Sequence, residues 1–296
     1  MWERSPTGRL RRVAAPAIRR CEFHLAAEGG RALFCRSWTP PQPERVCVLV
    51  HGYAEHSGRY ESMAAWLAAR GCAVHAYDQQ GHGRSDGARG HVRRFEEFLD
   101  DLDRVLAAAQ QEQPGRPSYV VGHSMGGLVA ANWAVERGSD IHGVVTSGAL
   151  LSMGAAPSPV RVSLLRALRR VMPRQSIAQP VDPAALSRDP EVGRAYQADP
   201  LVFQRITLSL AAELFGAAAR TAPRAAEVKL PMLILHGEQD PLCLAEGSRA
   251  FFEQLVSAGS DLRLYPELRH EIFNEPEQEQ VFADLLEWAH KREADQ

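Results

Sequence analysis

The sequence predicts a doubly wound, mostly parallel α/β sheet that is interrupted once by a helical insertion. Short apolar runs, typical of strands buried on both faces, alternate with helical patterns along most of the 296 residues. Between residues 150 and 226 this alternation stops, and short helical segments between prolines are predicted with no strand. We therefore expect a core of residues 21–149 and 227–296, with residues 150–226 as a helical lid over the carboxyl ends of the strands.

The predicted elements begin with an edge hairpin. Residues 21–25 and 32–38 are joined by a Gly-Gly turn and are expected to pair as antiparallel strands. Further strands follow from continuous apolar runs, and helices follow from apolar residues at helical spacing. The predicted strands cover residues 46–50, 72–77, 119–121, 143–147, 232–235 and 262–265, and the predicted helices cover residues 60–70, 95–111, 128–137, 244–257 and 277–290.

Composition argues against several classes of function. A formal net charge of −2 disfavours nucleic acid as the main partner. No apolar run approaches the length of a membrane span, and the basic residues 1–20 lack the apolar core of a secretory signal. The five cysteines have no metal-ligand spacing and predict reduced thiols. We therefore expect a cytoplasmic protein with a flexible N-terminal segment over residues 1–20 and no metal site built on its cysteines.

Residues 119–137 contain the most informative local pattern. An apolar run leads into Gly122-His123-Ser124-Met125-Gly126, and an Ala-rich helical pattern follows at once. This is a strand, a one-residue corner and a helix, with G-x-S-x-G at the corner. The two glycines leave room where strand and helix pass closely, and the corner side chain projects clear of the sheet. We predict that Ser124 is a nucleophile.

A serine nucleophile needs a general base, and His270 is the predicted one. It follows the last strand and precedes the final helix, so it should reach the carboxyl edge of the sheet. His123 adjoins the nucleophile at a sharp corner, and its side chain is expected to point elsewhere. The other histidines that we considered are interpreted as packing or surface residues, namely His24, His75, His142 and His290.

An acid should orient the base, and Asp240 is the predicted one because it closes the turn after the preceding strand, with Glu238 as the alternative. The resulting order Ser124, Asp240, His270 is the order found in α/β-hydrolases. The oxyanion needs two backbone N–H donors. Met125, which follows the nucleophile, supplies one, and Tyr53, in the loop after strand 46–50, supplies the other, with Ala54 as the alternative.

With these residues assembled, the sequence resembles the monoacylglycerol lipase and lysophospholipase family of α/β-hydrolases over most of residues 46–289. The resemblance implies hydrolysis of an ester between one long acyl chain and glycerol or a related small alcohol, without metal or organic cofactor. Ala54 departs from the pattern, since relatives often carry a second glycine there. The motifs are H-G-x-x-E-H-S-G-R-Y at 51–60, D-x-x-G-H-G-x-S-x-G at 78–87, G-H-S-M-G-G at 122–127, G-x-x-D at 237–240 and Y-x-x-x-x-H-E at 265–271.

Several polar residues of these motifs are interpreted as structural. Asp78 and His82 should tie a tight glycine turn through bonds from side chain to backbone. Glu55 and Arg59, four residues apart, should pair. Cys243, three residues after Asp240, should lie near the triad as a packing thiol, or alternatively as a site that thiol reagents block.

Within the insertion, residues 160–172 predict a basic amphipathic helix, with Leu165 and Leu168 on the apolar face and Arg166, Arg169 and Arg170 on the other. The apolar face of such a helix can pack against the channel that holds the acyl chain of the substrate, or it can insert into a lipid surface. It does both in turn if the lid moves. Transient contact with a membrane or micelle is therefore expected.

Taken together, the sequence predicts a serine carboxylic-ester hydrolase that acts on monoacylglycerols through a Ser-His-Asp acyl-enzyme mechanism. Alternatives on the same scaffold are a lysophospholipase, a broad short-chain carboxylesterase, a proline-type aminopeptidase and a ligand-binding protein without turnover. An aminopeptidase should bind the substrate ammonium with lid carboxylates, for which the candidates are Asp182, Asp189, Glu191 and Asp199. The oligomeric state is left open.

Overall fold

A computed structural model describes residues 17–152, 165 and 167–294, together with the backbone of residues 2–4 and 10–12. Twelve strands occur in these ranges, and they agree with the predicted strands wherever a strand was predicted. They are β1 (Trp2–Arg4), β2 (Leu10–Arg12), β3 (Arg19–Ala26), β4 (Ala32–Thr39), β5 (Arg45–Val50), β6 (Cys72–Tyr77), β7 (Ser118–His123), β8 (Gly143–Ser147), β9 (Ser176–Ala178), β10 (Arg205–Thr207), β11 (Met232–Gly237) and β12 (Asp261–Tyr265).

Eight strands form one sheet in the order β12-β11-β8-β7-β5-β6-β4-β3. The strands from β12 to β6 pair in parallel, whereas β4 and β3 join the edge in antiparallel register. All residues of β5, β6, β7, β8 and β11 are buried, as expected for parallel strands covered on both faces. The predicted doubly wound, mostly parallel fold is confirmed.

Helices cover both faces of this sheet. They are α1 (Glu61–Ala68), α2 (Glu96–Glu112), α3 (Met125–Glu136), α4 (Pro183–Leu186), α5 (Pro190–Ala198), α6 (Leu208–Thr221), α7 (Ala245–Phe252) and α8 (Gln278–Ala294), with short 3-10 helices at Glu28–Gly30, Ser57–Tyr60, Ala222–Glu227 and Ile272–Asn274. Alternate residues of β5 point to opposite faces. Val46, Val48 and Val50 pack with α2, α3, α6 and α7, while Cys47 and Leu49 pack with α1 and α8.

The insertion differs from its prediction in one respect. Residues 176–178 and 205–207 pair as two antiparallel strands, so the expectation of a strandless insertion was wrong. Residues 167–171 are helical, which agrees with the carboxyl end of the predicted amphipathic helix. Leu165 is helical as well, whereas residues 160–164 and Arg166 of the predicted helix lie outside the described residues.

The N-terminal segment also carries regular structure. Residues 2–4 pair with residues 10–12, and β3 begins at Arg19, two residues before the predicted boundary. Within the described part of the chain, the helices are too short or too polar to span a lipid bilayer.

Candidate active site

Ser124 stands at the corner between β7 and α3. Its backbone φ of 53° and ψ of −114° lie in a region that residues with a side chain rarely adopt. The neighbouring glycines are required by close approach, because a Cβ on Gly122 would lie 2.2 Å from the Gly126 carbonyl oxygen, and a Cβ on Gly126 would lie 2.1 Å from that of Val50. The strained corner exposes Ser124 at the carboxyl edge of the sheet, as predicted for a nucleophile elbow.

Asp240 and His270 lie together at the same edge. His270 Nδ1 and Asp240 Oδ2 are 2.6 Å apart, and both residues are buried. Asp240 Oδ1 accepts the backbone N–H groups of Leu242 and Cys243 at 2.8 and 2.9 Å, which fixes the carboxylate. The alternative acid Glu238 instead pairs with Arg249 at the surface. The structure therefore brings together the predicted base and the predicted acid.

The electrostatics of this pair suit proton transfer. Burial would lower the pKa of His270, but the Asp240 carboxylate outweighs burial and raises it above its ordinary value. Burial would likewise raise the pKa of Asp240, and the His270 charge together with hydrogen bonds lowers it instead. The pair is thus built to hold a proton on the imidazole beside a permanently ionised carboxylate.

The backbone of residues 51–55, here called the oxyanion loop, is fixed by two buried side chains. His51 Nε2 accepts the N–H of Gln79 at 2.9 Å, so its Nδ1–H donates to the Gly52 carbonyl at 2.7 Å. Glu55 Oε1 accepts the Gly52 N–H at 2.6 Å. Since the Gly52 amide is occupied, the following amide of Tyr53 is the next candidate donor in this loop. The other predicted donor, Met125, opens α3, where the first amides of a helix lack intrahelical partners.

His123 does not point away from the site, so that expectation was wrong. Its ring centroid lies 4.7 Å from that of His270, and its Nδ1 lies 3.2 Å from Ser147 Oγ. Burial, followed by the nearby His270 charge, lowers the pKa of His123 to about 4. A neutral His123 therefore lies against the predicted base without competing for its proton.

Cys243 lies beside all three predicted catalytic residues. The side-chain ligand atoms of Asp240, Cys243 and His270 lie within 4.8 Å of one another, and Cys243 lines the same cavity as Ser124. Burial raises the pKa of Cys243 well above its ordinary value. Metals bind thiolates, and thiol reagents attack thiolates. This neutral thiol therefore fits a packing role better than a metal-binding role or a role as a site that thiol reagents block.

The polar motif residues are structural, as predicted. Asp78 accepts the backbone N–H groups of Ser57 and Arg84, and His82 bonds to the Gln80 carbonyl. Arg59 pairs with Glu55 at 2.9 Å, but it also makes two contacts with Glu271, the residue after the predicted base. No local pattern predicts this second pairing, because the partners are 212 positions apart.

A cavity of about 470 Å³ opens directly above these residues. Its floor is formed by Ser124, His270, Cys243 and the oxyanion loop, and its walls come largely from apolar side chains of the insertion. The wall residues from the insertion are Leu150, Leu165, Ile177, Gln179, Val181, Leu186, Tyr196, Ile206, Ala211, Leu214 and Phe215.

The fold and the strained serine corner are those of a serine hydrolase with the α/β-hydrolase fold. More specifically, the chain belongs to the Hydrolase_4 family, described as "Serine aminopeptidase, S33", which matches residues 41–277. A monoacylglycerol lipase from Mycolicibacterium smegmatis is 38% identical over 271 residues, which cover 91% of this chain and 96% of that protein. The human monoglyceride lipase is 33% identical, covering 92% of this chain and 91% of its own length. The crystal structure of Paleococcus ferrophilus monoacylglycerol lipase aligns with a TM-score of 0.80 at 35% identity, over 88% of this chain and 99% of that one. The predicted family is confirmed.

Proposed function

We propose that this chain is a serine carboxylic-ester hydrolase that releases a fatty acid from monoacylglycerols, with Ser124, His270 and Asp240 as its catalytic triad. One observation carries the proposal: the 2.6 Å contact between His270 and Asp240 lies under the same apolar cavity that Ser124 lines. The similarity to monoacylglycerol lipases over nine-tenths of the chain supports the choice of substrate.

In the first half of the reaction, Ser124 Oγ attacks the ester carbonyl while His270 takes its proton. Asp240 holds the imidazole with Nε2 facing the serine and stabilises the imidazolium that forms. The amides of Met125 and Tyr53 donate to the oxyanion, and each such donor contributes about 2.7–4 kcal/mol in the transition state. Collapse of the tetrahedral intermediate breaks the bond to the alcohol, which leaves as His270 returns the proton.

In the second half, water hydrolyses the acyl-enzyme. His270 removes a proton from the water as it attacks the acyl carbonyl, and the same two amides receive the oxyanion. The proton then passes to Ser124 Oγ as the fatty acid leaves. Every step uses residues of this chain alone.

The cavity combines apolar walls with two buried hydroxyl groups. The apolar walls suit one acyl chain, and the volume lies within the range of about 300–1,000 Å³ for small-molecule sites. Tyr53 and Tyr196 also line it, and among the described residues neither buried hydroxyl has a hydrogen-bond partner. Since an unpaired buried hydroxyl is costly, these two groups are suited to bind the hydroxyls of a glycerol moiety.

The aminopeptidase alternative is favoured by the family description, but the predicted lid carboxylates do not support it. Asp182 and Asp189 cap the first turns of α4 and α5. Glu191 pairs with Arg194, and Asp199 accepts from His56. None of the four lines the cavity, so none is positioned to receive a substrate ammonium.

We further propose that residues 150–226 act as a lid that contacts lipid surfaces, which would make the enzyme peripheral at a membrane or micelle. Leu165 lines the cavity, while Leu168, Val171 and Met172 are exposed nearby. The exposed Arg170 and Arg174 flank these apolar side chains. Exposed apolar side chains next to arginines are typical of a segment that binds at a membrane interface, and we call residues 168–172 the apolar tip.

The proposal is tested by Ser124→Ala, with Ser139→Ala as the matched change at an exposed serine. We expect Ser124→Ala to lower kcat for monoacylglycerol hydrolysis by about 10⁴–10⁶-fold and to abolish fluorophosphonate labelling, with Ser139→Ala unaffected. Substrate class is tested by comparing kcat/KM on monoacylglycerols, lysophospholipids, p-nitrophenyl esters and aminoacyl amides. Retained turnover by purified Ser124→Ala protein would refute the triad, and a preference for aminoacyl amides would refute the substrate.

A further inference from the structure

A second histidine lies on the far side of the predicted catalytic carboxylate. His236, near the carboxyl end of β11, is fully buried. Its Nε2 is 2.8 Å from the Cys243 carbonyl oxygen and 3.2 Å from Asp240 Oδ2. Its Nδ1 is 2.7 Å from the hydroxyl of Ser248 in α7.

These contacts fix the tautomer of His236. A carbonyl oxygen only accepts, so Nε2 carries the hydrogen and donates it to Cys243, with Asp240 Oδ2 beside the same nitrogen at 3.2 Å. In the neutral imidazole Nδ1 is then an acceptor, and the Ser248 hydroxyl donates to it. Ser248 thereby keeps the N–H of His236 directed at the carboxylate side.

Asp240 Oδ2 is consequently shared between two imidazoles, His270 at 2.6 Å and His236 at 3.2 Å. We propose that His236, held by Ser248, is a positioning residue that orients Asp240 and limits the negative charge that Asp240 presents to His270. This inference rests on the proposed function, because it assigns a role relative to the proposed Asp240–His270 pair.

The sign of the expected pH effect follows from the groups around the base. The positive end of the His236 N–H dipole lies close to Oδ2, since Nε2 is 3.2 Å away, so removing it leaves Asp240 better able to stabilise the His270 imidazolium. Catalysis needs neutral His270, so activity falls as pH drops through its pKa, which already lies above the ordinary value of 6.5. Loss of His236 should therefore move this acid limb further upward. The other titratable groups near His270 are His123, Cys243, Glu271 and Glu55.

The test compares His236→Leu, which removes the donor, with His236→Gln, whose side-chain amide can place an N–H near the Nε2 position. For His236→Leu we expect kcat to fall about tenfold, the effect of losing one polar contact to a charged group, with KM unchanged. In the pH profile of kcat/KM, the midpoint of the acid limb should move to a higher pH by about 0.5 unit. His236→Gln should restore most of kcat and return the midpoint toward the wild-type value.

Ser248→Ala provides a second variant that leaves Asp240 and His270 untouched. It removes the hydroxyl that holds the His236 ring through Nδ1, so the ring can turn away from Asp240, and we expect the midpoint of the acid limb to shift in the same direction by a smaller amount. The far-UV circular dichroism spectrum and the urea midpoint report the folded fraction of every variant. A loss of folded protein would lower the apparent kcat without moving the pH midpoint.

Asp240→Asn separates the inference from the proposed function. If Asp240→Asn keeps wild-type activity, the proposed triad is wrong. If Asp240→Asn is inactive while His236→Leu and Ser248→Ala keep the wild-type pH profile and kcat, only the positioning role is overturned. A pH midpoint that moves equally in His236→Leu and His236→Gln would also overturn it, because the donor would then be irrelevant.

Discussion

Ala54 shows how much of the candidate site depends on single residues. Its φ of 65° lies in the left-handed region, and its side chain is fully buried. Glycine adopts this conformation without strain, which explains why family members often carry glycine here. The conformation persists because the contacts of His51 and Glu55 fix the loop on both sides. The proposed oxyanion donors thus belong to a preorganised loop rather than to one that must rearrange during the reaction.

The hydroxyls of Tyr53 and Tyr196 provide a residue-scale prediction. Burial raises the pKa of both phenols, so each is protonated and able to donate. We expect Tyr53→Phe and Tyr196→Phe each to lower kcat/KM for a monoacylglycerol about fivefold, the equivalent of one hydrogen bond of about 1 kcal/mol. The p-nitrophenyl ester of the same acyl chain is the control, because its leaving group lacks glycerol hydroxyls. Equal losses on both substrates would show that these hydroxyls do not recognise the alcohol.

At the scale of elements, one buried ion cluster joins the oxyanion loop, α5 and the loop before α8. Arg59 contacts Glu271 at 2.5 and 2.8 Å and Glu55 at 2.9 Å, and its guanidinium lies 4.9 Å from the Tyr196 ring centroid. Burial would raise the pKa of Glu55, but the Arg59 charge, together with His123, His51 and the Gly52 N–H, outweighs burial and lowers the pKa. The stability that Glu55 contributes is therefore present above its ordinary pKa and is lost as pH falls through the depressed value.

Glu271→Gln tests this cluster against Glu267→Gln, the same change four residues earlier. The Glu271 side chain is 5% exposed, whereas that of Glu267 is 81% exposed. We expect Glu271→Gln to lower the free energy of unfolding by about 3 kcal/mol, since it leaves a buried guanidinium only partly compensated. Glu267→Gln should change it by about 0.5 kcal/mol or less, as exposed pairs do. Urea denaturation measures both, and equal effects would contradict a stabilising role for the cluster.

Sequence patterns predicted the sheet well because each of its strands can be recognised from its own residues, without knowledge of its partner strand. The strands at residues 72–77 and 143–147 were predicted to the residue, since each is a continuous buried run between turn residues. The pair β9 and β10 was missed because each strand has only three residues and its partner lies far along the chain. Short segments of this kind form through pairing rather than through local preference.

The same distinction applies to the candidate site. The proximity of Asp240 and His270 was predictable because each lies in the loop after a strand whose carboxyl end faces the candidate site. His236 lies within a buried strand, where a histidine is ordinarily a packing residue, and only its contacts with Asp240 and Ser248 suggest another role. His123 was assigned wrongly because the direction of a side chain at a strained corner does not follow from strand alternation.

For the molecule as a whole, the exposed apolar side chains are unevenly distributed. Within the described ranges, the large hydrophobic side chains with substantial exposure are Leu168, Val171, Met172, Ile177 and Val256. Four of these five belong to the insertion, and Ile177 also lines the cavity. The cavity mouth and the proposed lipid-contacting surface therefore lie on the same part of the molecule.

This asymmetry allows a matched test of membrane contact. Val171 is 81% exposed beside Arg170, and Val256, in the chain after α7, is 74% exposed. We expect Val171→Asp to weaken binding to phosphatidylglycerol–phosphatidylcholine vesicles about tenfold, since it places a charge in the apolar tip, and Val256→Asp to leave binding unchanged. Replacing Arg170 and Arg174 by Gln should weaken binding about fivefold per charge and reduce its dependence on salt. Co-sedimentation measures the affinity, and hydrolysis of a water-soluble ester checks that each variant remains active.

Equal binding by the Val171→Asp and Val256→Asp proteins would mean that the lid does not contact lipid through the exposed apolar side chains around Val171.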